Sequence, residues 1–210
     1  MLWQAHQVQD NLRNREGKRV FYLAKGDQLT SEARDFLIRE RVEILPAPAK
    51  TPKPEPMTHL NGDTLVPKTH PRIFLRGKLD SLESALILCQ LQLPALTQPL
   101  GELLAQTRRI LRCEVLEEPL KGVRLLGLTE EELRRRSHIP QEYYGVPHFM
   151  PEASDGETIA HLNRLRCQVR ETELAAAAAF PEGQREDLLQ ALNRMSSAVY
   201  LLMIQQKQKL

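Results

Sequence analysis

Arg166, Arg170 and Glu173 fall at steps of four and three in a stretch otherwise periodic in Leu, Val and Ala. Asn193 sits in a second such stretch, Ala191-Leu192-Asn193-Arg194-Met195-Ser196-Ser197. A third group, Lys68, Arg72, Arg76 and Lys78, leads to Asp80 and is punctuated by Pro67, Pro71 and Gly77. Four cations spaced by Pro and Gly ahead of a helix could form a phosphate-binding loop. Buried charge costs several kcal/mol unless it is paired. Three polar stretches set into apolar helices therefore point to one shared polar site.

Each stretch has a plainer reading. Asn163, Arg166, Arg170 and Glu173 could be an exposed helix face with an intrahelical Arg170–Glu173 pair, worth about 0.2–0.5 kcal/mol. Asn193 could be a core amide satisfied by backbone. Asp80-Ser81-Leu82-Glu83 fits a capping box, which makes Asp80 a helix cap. The four cations could be a solvated basic loop.

The remaining chemistry is bounded by what the sequence lacks. Cys89, Cys113 and Cys167 are single and widely spaced, which fits small buried hydrophobes rather than a disulfide framework or a thiolate zinc site. Neither Glu-x-x-His nor His-Glu-x-x-His occurs, and the Walker and Gly-x-Ser-x-Gly motifs are absent. His138 and His148 flank a long loop near Glu152 and offer only a sparse metal set, so no resident metal is expected. With a net charge of +2, the chain gives no electrostatic case for nucleic acid. No apolar run is long enough to span a bilayer, and no secretory signal is visible, so a cytoplasmic protein is expected.

The elements that must position these residues are mostly helical. Leu, Ala, Arg, Glu and Gln dominate the 210 residues, and aromatics make up 5%. Residues 17–45 read as strand, helix capped by Thr30 or Ser31, then strand, too short to hold a core alone. Residues 46–57 carry Pro at nearly every second position, an extended spacer. The expected organisation is a small N-terminal α/β appendage over 1–45, a Pro/Lys-rich linker over 46–57 and a helical domain over 58–210. Within that domain the pattern gives a helix from Lys78, broken by Pro94 and Pro99, and a second from Leu100 to Glu117. A short helix opens at the Thr129/Glu132 capping box. A loop over 138–156 follows, then helices to about Phe180 and from Gln184 to Lys207. These five segments predict an all-α, up-and-down five-helix bundle of ferritin-like type.

Taken together, the stretches resemble the ATP:cob(I)alamin adenosyltransferases, most closely the ethanolamine-utilization type. The residues that carry the resemblance begin with Leu29-Thr30-Ser31-Glu32-Ala33-Arg34, Thr58-His59-Leu60, Lys68, Pro71-Arg72 through Asp80-Ser81, and Gly127-Leu128-Thr129. They continue through Ser137-His138, Met150-Pro151-Glu152-Ala153-Ser154 and Val169-Arg170-Glu171-Thr172-Glu173, to Leu189 through Arg194 and Ser196-Ser197. The propanediol-utilization type is a more distant likeness, through Pro71, Arg72, Gly77, Asp80, the helix around Arg166–Glu173, and Asn193 to Ser196.

The resemblance implies attack of cob(I)alamin on the 5′ carbon of ATP, with triphosphate as leaving group. ATP, Mg²⁺ and cobalamin are the implied ligands. Lys68, Arg72, Arg76, Lys78 and Arg166 would face the phosphates, Glu173 would contact ATP, and Asn193 would orient ATP or Mg²⁺. Arg166, Arg170 and Asp80 would be catalytic, with an Asp80–Arg170 pair across a subunit interface of a dimer or trimer. Tyr143, Tyr144, Phe149 and Met150 would wall a dry corrin pocket. A cobalamin-dependent lyase or a bacterial microcompartment is the implied further partner. There are departures. The distant type's N-terminal Thr-Lys-Thr-Gly loop is absent, and a Pro/Lys spacer stands where the closer type has a Cys-Cys-x-x-Cys cluster. That loss keeps a second reading open: a non-catalytic cobalamin chaperone, or a protein docking to a catabolic microcompartment through residues 1–45.

Overall fold

The N-terminal part of the chain alternates short strands and helices. The computed structural model describes residues 1–15, 17–47, 53–61, 64–181 and 183–210. Its first compact unit comprises Met1–His70 with Val115–Glu117. In order come β1 (Leu2–Trp3), α1 (Ala5–Asp10), β2 (Arg13–Arg15), β3 (Lys18–Leu23), β4 (Gln28–Leu29), α2 (Ser31–Arg39) and β5 (Glu43–Pro46). β3 pairs antiparallel with β2 and parallel with β5, with Phe21 opposite Ile44. Thr30 caps α2, its hydroxyl accepting from the Ala33 N–H at 3.2 Å. Val8, Leu12, Phe21, Leu29, Ala33, Leu37 and Val42 form the unit's core, with the Trp3 ring edge-on to Phe21 at 5.2 Å. The centre of the Pro/Lys stretch, residues 48–52, lies outside the described residues. Beyond it β6 (Met57–Asn61) pairs antiparallel with β7 (Thr64–Pro67), so Thr58-His59-Leu60 lies in a strand, with Thr58 opposite Val66.

The second unit comprises Pro71–Glu114 and Glu118–Leu210. It holds α3 (Pro71–Gln92), α4 (Thr97–Val115), a small hairpin of β8 (Arg124–Leu125) and β9 (Leu128–Thr129), α5 (Glu130–His138), α6 (Pro140–Tyr144), α7 (Gly156–Ala179) and α8 (Glu186–Lys207). Among the described residues the chain is thus mostly helical, with sheets of two or three strands. α7 packs against both α3 and α8, and α5 packs on α8. Leu75, Leu79, Leu82, Leu86 and Cys89 of α3 recur at steps of four and three and are buried. Ile159, Leu162, Leu165, Val169 and Ala176 of α7 meet them in one core with Leu188, Leu192, Met195 and Val199 of α8. Burying each such leucine fully stabilises the fold by about 1.5–3 kcal/mol. Ahead of its polar last turn, α8 is buried on every side, Ala198 through Ile204 being buried without a break.

Several expected boundaries move. α3 opens at Pro71, not Lys78. Proline is favourable in a first turn, where its missing N–H costs nothing, and Gly77 alone does not break the helix. Arg72, Arg76, Lys78 and Asp80 are therefore helical, not a loop. Asp80 lies inside the helix instead of capping it, and the Ser81 hydroxyl donates to the Gly77 carbonyl. Pro99 sits in the first turn of α4, so it does not interrupt that helix. The 138–156 segment contains a helix of its own, α6, which ends on Gly145 in the left-handed region at φ 68°.

Candidate active site

Two consecutive helices present polar stripes of the same spacing. α7 supplies Arg166, Arg170, Glu173, Leu174 and Ala177; α8 supplies Leu189, Asn193, Ser196, Ser197 and Tyr200. Both run in steps of four, three, one and three, which keeps each set on one face of a 3.6-residue helix. The end of α5 adds Ser137 and His138, and the segment before α7 adds His148, Phe149 and Met150. Together they line a cleft of about 760 Å³.

The floor of the cleft is organised around Tyr200, which is 7% exposed. Its hydroxyl lies 2.9 Å from His148 Nδ1, and His148 Nε2 lies 3.0 Å from the His138 carbonyl. A carbonyl only accepts, so Nε2–H donates to it, and the Tyr200 hydroxyl is the partner of Nδ1. The two rings stack at 5.8 Å, and Phe149 stacks on Tyr200 from 6.2 Å. The Arg166 guanidinium lies over the Tyr200 ring at 4.8 Å, a cation–π contact that holds the charge against an aromatic face. Its Nε is buried with no hydrogen-bond partner. At the other side Asn193 Nδ2 donates to Glu173 Oε1 at 2.9 Å. Glu173 thus pairs with Asn193, not with Arg170, and Asn193 is exposed in the cleft, not buried in the core.

The cleft gathers Arg166, Arg170, Glu173, Asn193, Phe149 and Met150 from widely separated parts of the sequence. It does not gather the basic residues of α3. Arg72 Nε and Arg76 Nε sit 2.5 and 2.6 Å from the two carboxylate oxygens of Glu114, which is fully buried at the end of α4. The sequence reading assigned both to phosphate; their charge is instead engaged by an internal carboxylate. Lys78 pairs with Glu171 at 2.8 Å, and Lys68, in the first unit, lies 3.8 Å from Glu55. Asp80 and Arg170 are exposed, and neither has an ion-pair partner among the described residues. The Arg135 and Arg136 guanidiniums lie over the Tyr143 ring at 5.8 and 5.3 Å, and Tyr144 packs against the helical core; neither tyrosine lines the cleft. Among the described residues no three His, Cys, Asp or Glu side chains assemble into a metal site.

The cleft's shoulder is held by charge. Lys207 donates to Asp155 and lies over Phe149 at 5.6 Å, tying the end of α8 to the turn before α7. The Lys207 hydrogen bond, with the Glu152 N–H, holds Asp155 below the usual carboxylate range. Arg185 donates to the carbonyls of Cys113 and Glu118 and to Asp187, which also accepts the Leu120 N–H at 2.7 Å. Burial pushes the Asp187 carboxyl up, but the hydrogen bonds from Arg185 and Leu120 outweigh it and hold it low. Sequence reasoning considered His148 only as a metal ligand, and no local signal names its tyrosine partner 52 residues away.

Residues 51–206, which include every residue of the cleft, match the sequence profile of the cobalamin adenosyltransferase family. The chain belongs to that family. Within it, corrinoid adenosyltransferase EutT of Salmonella typhimurium strain LT2 is 43% identical over 157 residues, 72% of this chain and 59% of that protein. EutT of Escherichia coli K12 matches to the same extent. The chain therefore matches about three fifths of the length of these relatives. No solved structure gives a significant match. Among the described residues, no helix of this adenosyltransferase-family chain is long and apolar enough to cross a membrane.

Proposed function

We propose that this chain transfers the 5′-deoxyadenosyl group of ATP to the cobalt of cob(I)alamin. The observation that carries the reading is the α7–α8 cleft. It unites Arg166, Arg170, Glu173 and Asn193 with an aromatic wall, within the region that matches the family. In the reaction Co(I) supplies the electron pair, a Co–C5′ bond forms, the C5′–O bond breaks and triphosphate leaves with that bonding pair. The protein's task is then electrostatic and positional. Arg166, held on Tyr200 with an unpaired Nε, is a preorganised donor toward the leaving oxygens. Phe149 and Met150 offer an apolar edge against which a bound corrin would exclude water. Glu173 and Asn193 bring hard oxygen donors that suit Mg²⁺. They would hold the ion on the nucleotide, where it offsets the triphosphate's charge.

The α3, α4, α5, α7 and α8 helices are assigned to a five-helix, ferritin-like arrangement, and residues 1–45 to an appendage joined through 46–57. The protein is placed in the cytoplasm or in a microcompartment beside a cobalamin-dependent lyase. A homo-oligomer, dimer or trimer, is part of the proposal. Asp80 on α3 and Arg170 on α7 are both exposed without an ion-pair partner among the described residues. Phe74, Leu88 and Leu91 add exposed apolar surface on α3, and Leu174 on α7, 57–75% exposed. A second copy would cover these surfaces and pair Asp80 with Arg170.

The test is anaerobic incubation of the full chain with chemically reduced cob(I)alamin and Mg-ATP. Protein-dependent loss of the cob(I)alamin absorbance, with a light-sensitive product, is the expected result. Corrinoid or ATP binding without conversion would instead make the chain a carrier.

A further inference from the structure

His148 is fixed at both ring nitrogens, and both partners belong to other elements. Its Nε2–H donates to the carbonyl of His138, the last residue of α5, at 3.0 Å. The last carbonyls of a helix have no partner within it, so His148 caps α5 from ten residues further on. Its Nδ1 lies 2.9 Å from the Tyr200 hydroxyl of α8. The next link is the Arg166 guanidinium of α7, 4.8 Å from the centre of the Tyr200 ring. No carboxylate pairs with Arg166 among the described residues, and its buried Nε makes no hydrogen bond. The ring therefore orients this arginine, and His148 holds the polar end of the ring.

The polarity of the His148–Tyr200 bond depends on how many protons the imidazole carries. With Nε2–H engaged by the carbonyl, a neutral ring can only accept at Nδ1, and Tyr200 donates. An imidazolium donates at both nitrogens, and the Tyr200 oxygen accepts. A phenol that donates gains electron density in its ring, and one that accepts loses it. A cation–π contact depends on that density, so the first state grips Arg166 and the second loosens it. The second state also adds a positive charge to a cleft that already holds Arg166 and Arg170 of α7, with Lys207 of α8 over Phe149. The carboxylates around it are bonded elsewhere. Glu173 of α7 accepts Asn193, Asp155 accepts Lys207, and Glu152 of the same segment accepts the Ser154 hydroxyl. His138 of α5 is the remaining titratable group of the cleft. His148 is exposed, so solvent protons reach it.

We propose that His148 is a positioning residue for adenosyl transfer, holding Arg166 through the Tyr200 hydroxyl when neutral and releasing it when protonated. This rests on the adenosyl-transfer reading. Turnover then falls on the acid side through kcat, because Arg166 acts on charge that develops only in the transition state.

The test is cob(I)alamin adenosylation by the full chain as a function of pH. His148→Ala should lower kcat by at least about tenfold with KM for ATP unchanged. His148→Gln, whose amide can donate to the carbonyl and accept the hydroxyl without titrating, should restore most of kcat and abolish the acid-side fall. In a Tyr200→Phe background, where the link is already cut, His148→Ala should cost nothing further. Unchanged turnover in His148→Ala, an acid-side fall that survives in His148→Gln, or full additivity with Tyr200→Phe would overturn the proposal. If His148→Ala loses helical circular dichroism, the pH profile of His148→Gln decides. A second readout needs no turnover. Hydrogen exchange of the Arg166 Nε–H, followed by nitrogen-15 NMR with Arg166→Lys to assign the signal, should be slow in the unmodified protein and in His148→Gln. It should be about tenfold faster in His148→Ala. Absence of adenosylation by the unmodified protein removes the reaction, and the exchange rate alone then decides the role of His148. Equal exchange in all three proteins removes that role and leaves the reaction standing.

Discussion

At the scale of single residues, charge that looked available is committed, and a histidine read only as a sparse metal ligand is bonded at both ring nitrogens. Arg72 and Arg76 read as phosphate ligands because their partner, Glu114, lies about forty positions away and carries no local signature. Glu114→Gln keeps the shape but leaves two poorly solvated guanidiniums, and should cost about 3–5 kcal/mol. Urea denaturation followed by circular dichroism measures this; a loss below 1 kcal/mol would mean that the two arginines find other partners. Tyr200→Phe keeps the ring beneath Arg166 and removes only the hydroxyl to His148, so stability should fall by about 0.5–1.5 kcal/mol. Tyr200→Leu also removes the cation–π seat. Its turnover should fall well below that of Tyr200→Phe, and equal rates in the two variants would show that the ring does not position Arg166. Arg166 and Asn193 were legible because a charged or amide residue beside an apolar helical stripe is visible in sequence. The His148–Tyr200 pair was not, since it depends on the segment ahead of α7 lying against α8.

Among the elements, periodicity located α7 and α8 well, because their stripes are long and uninterrupted. It misplaced the start of α3, because Pro71 and Gly77 read as breakers when one is a favourable first-turn residue and the other a tolerated interior one. The Arg185–Asp187 clamp joins the start of α8 to the end of α4 and gives the fold an acid-sensitive joint. The folded Asp187 carboxyl is held low, so its contribution is fully present above the ordinary carboxylate range. That contribution disappears as pH falls through the depressed value. Asp187→Asn should thus be less stable than the unmodified protein near neutrality, and the gap should close as pH drops below about 4. Thermal melts at several pH values check this, and a gap independent of pH would contradict it. Thr129→Ala, which removes the capping hydroxyl of α5, should cost about 1 kcal/mol in the same melts.

For the whole molecule, the prediction concerns assembly. Asp80→Arg and Arg170→Asp should each shift the protein toward monomer in sedimentation experiments and lower turnover at least tenfold. The double variant should recover both, because it reverses the pair without removing it. Recovery of neither would separate these two residues from any contact between copies. The helical character of the chain was legible from composition and period. Which surfaces remain for a partner was not, because that depends on which face of α3 is used up against α7.

The matched stripes of α7 and α8 have a consequence for how such a site can vary. Each residue added to a helix turns everything beyond it by about 100°. One inserted alanine between Arg170 and Glu173 would swing Glu173, Leu174 and Ala177 out of the cleft together while leaving Arg166 in place. The site can therefore be retuned by exchanging side chains one at a time, but not by changing length within either helix. Length can vary only where no angular phase must be kept, in the connection between Ala179 and Glu186 or in the segment ahead of Gly156.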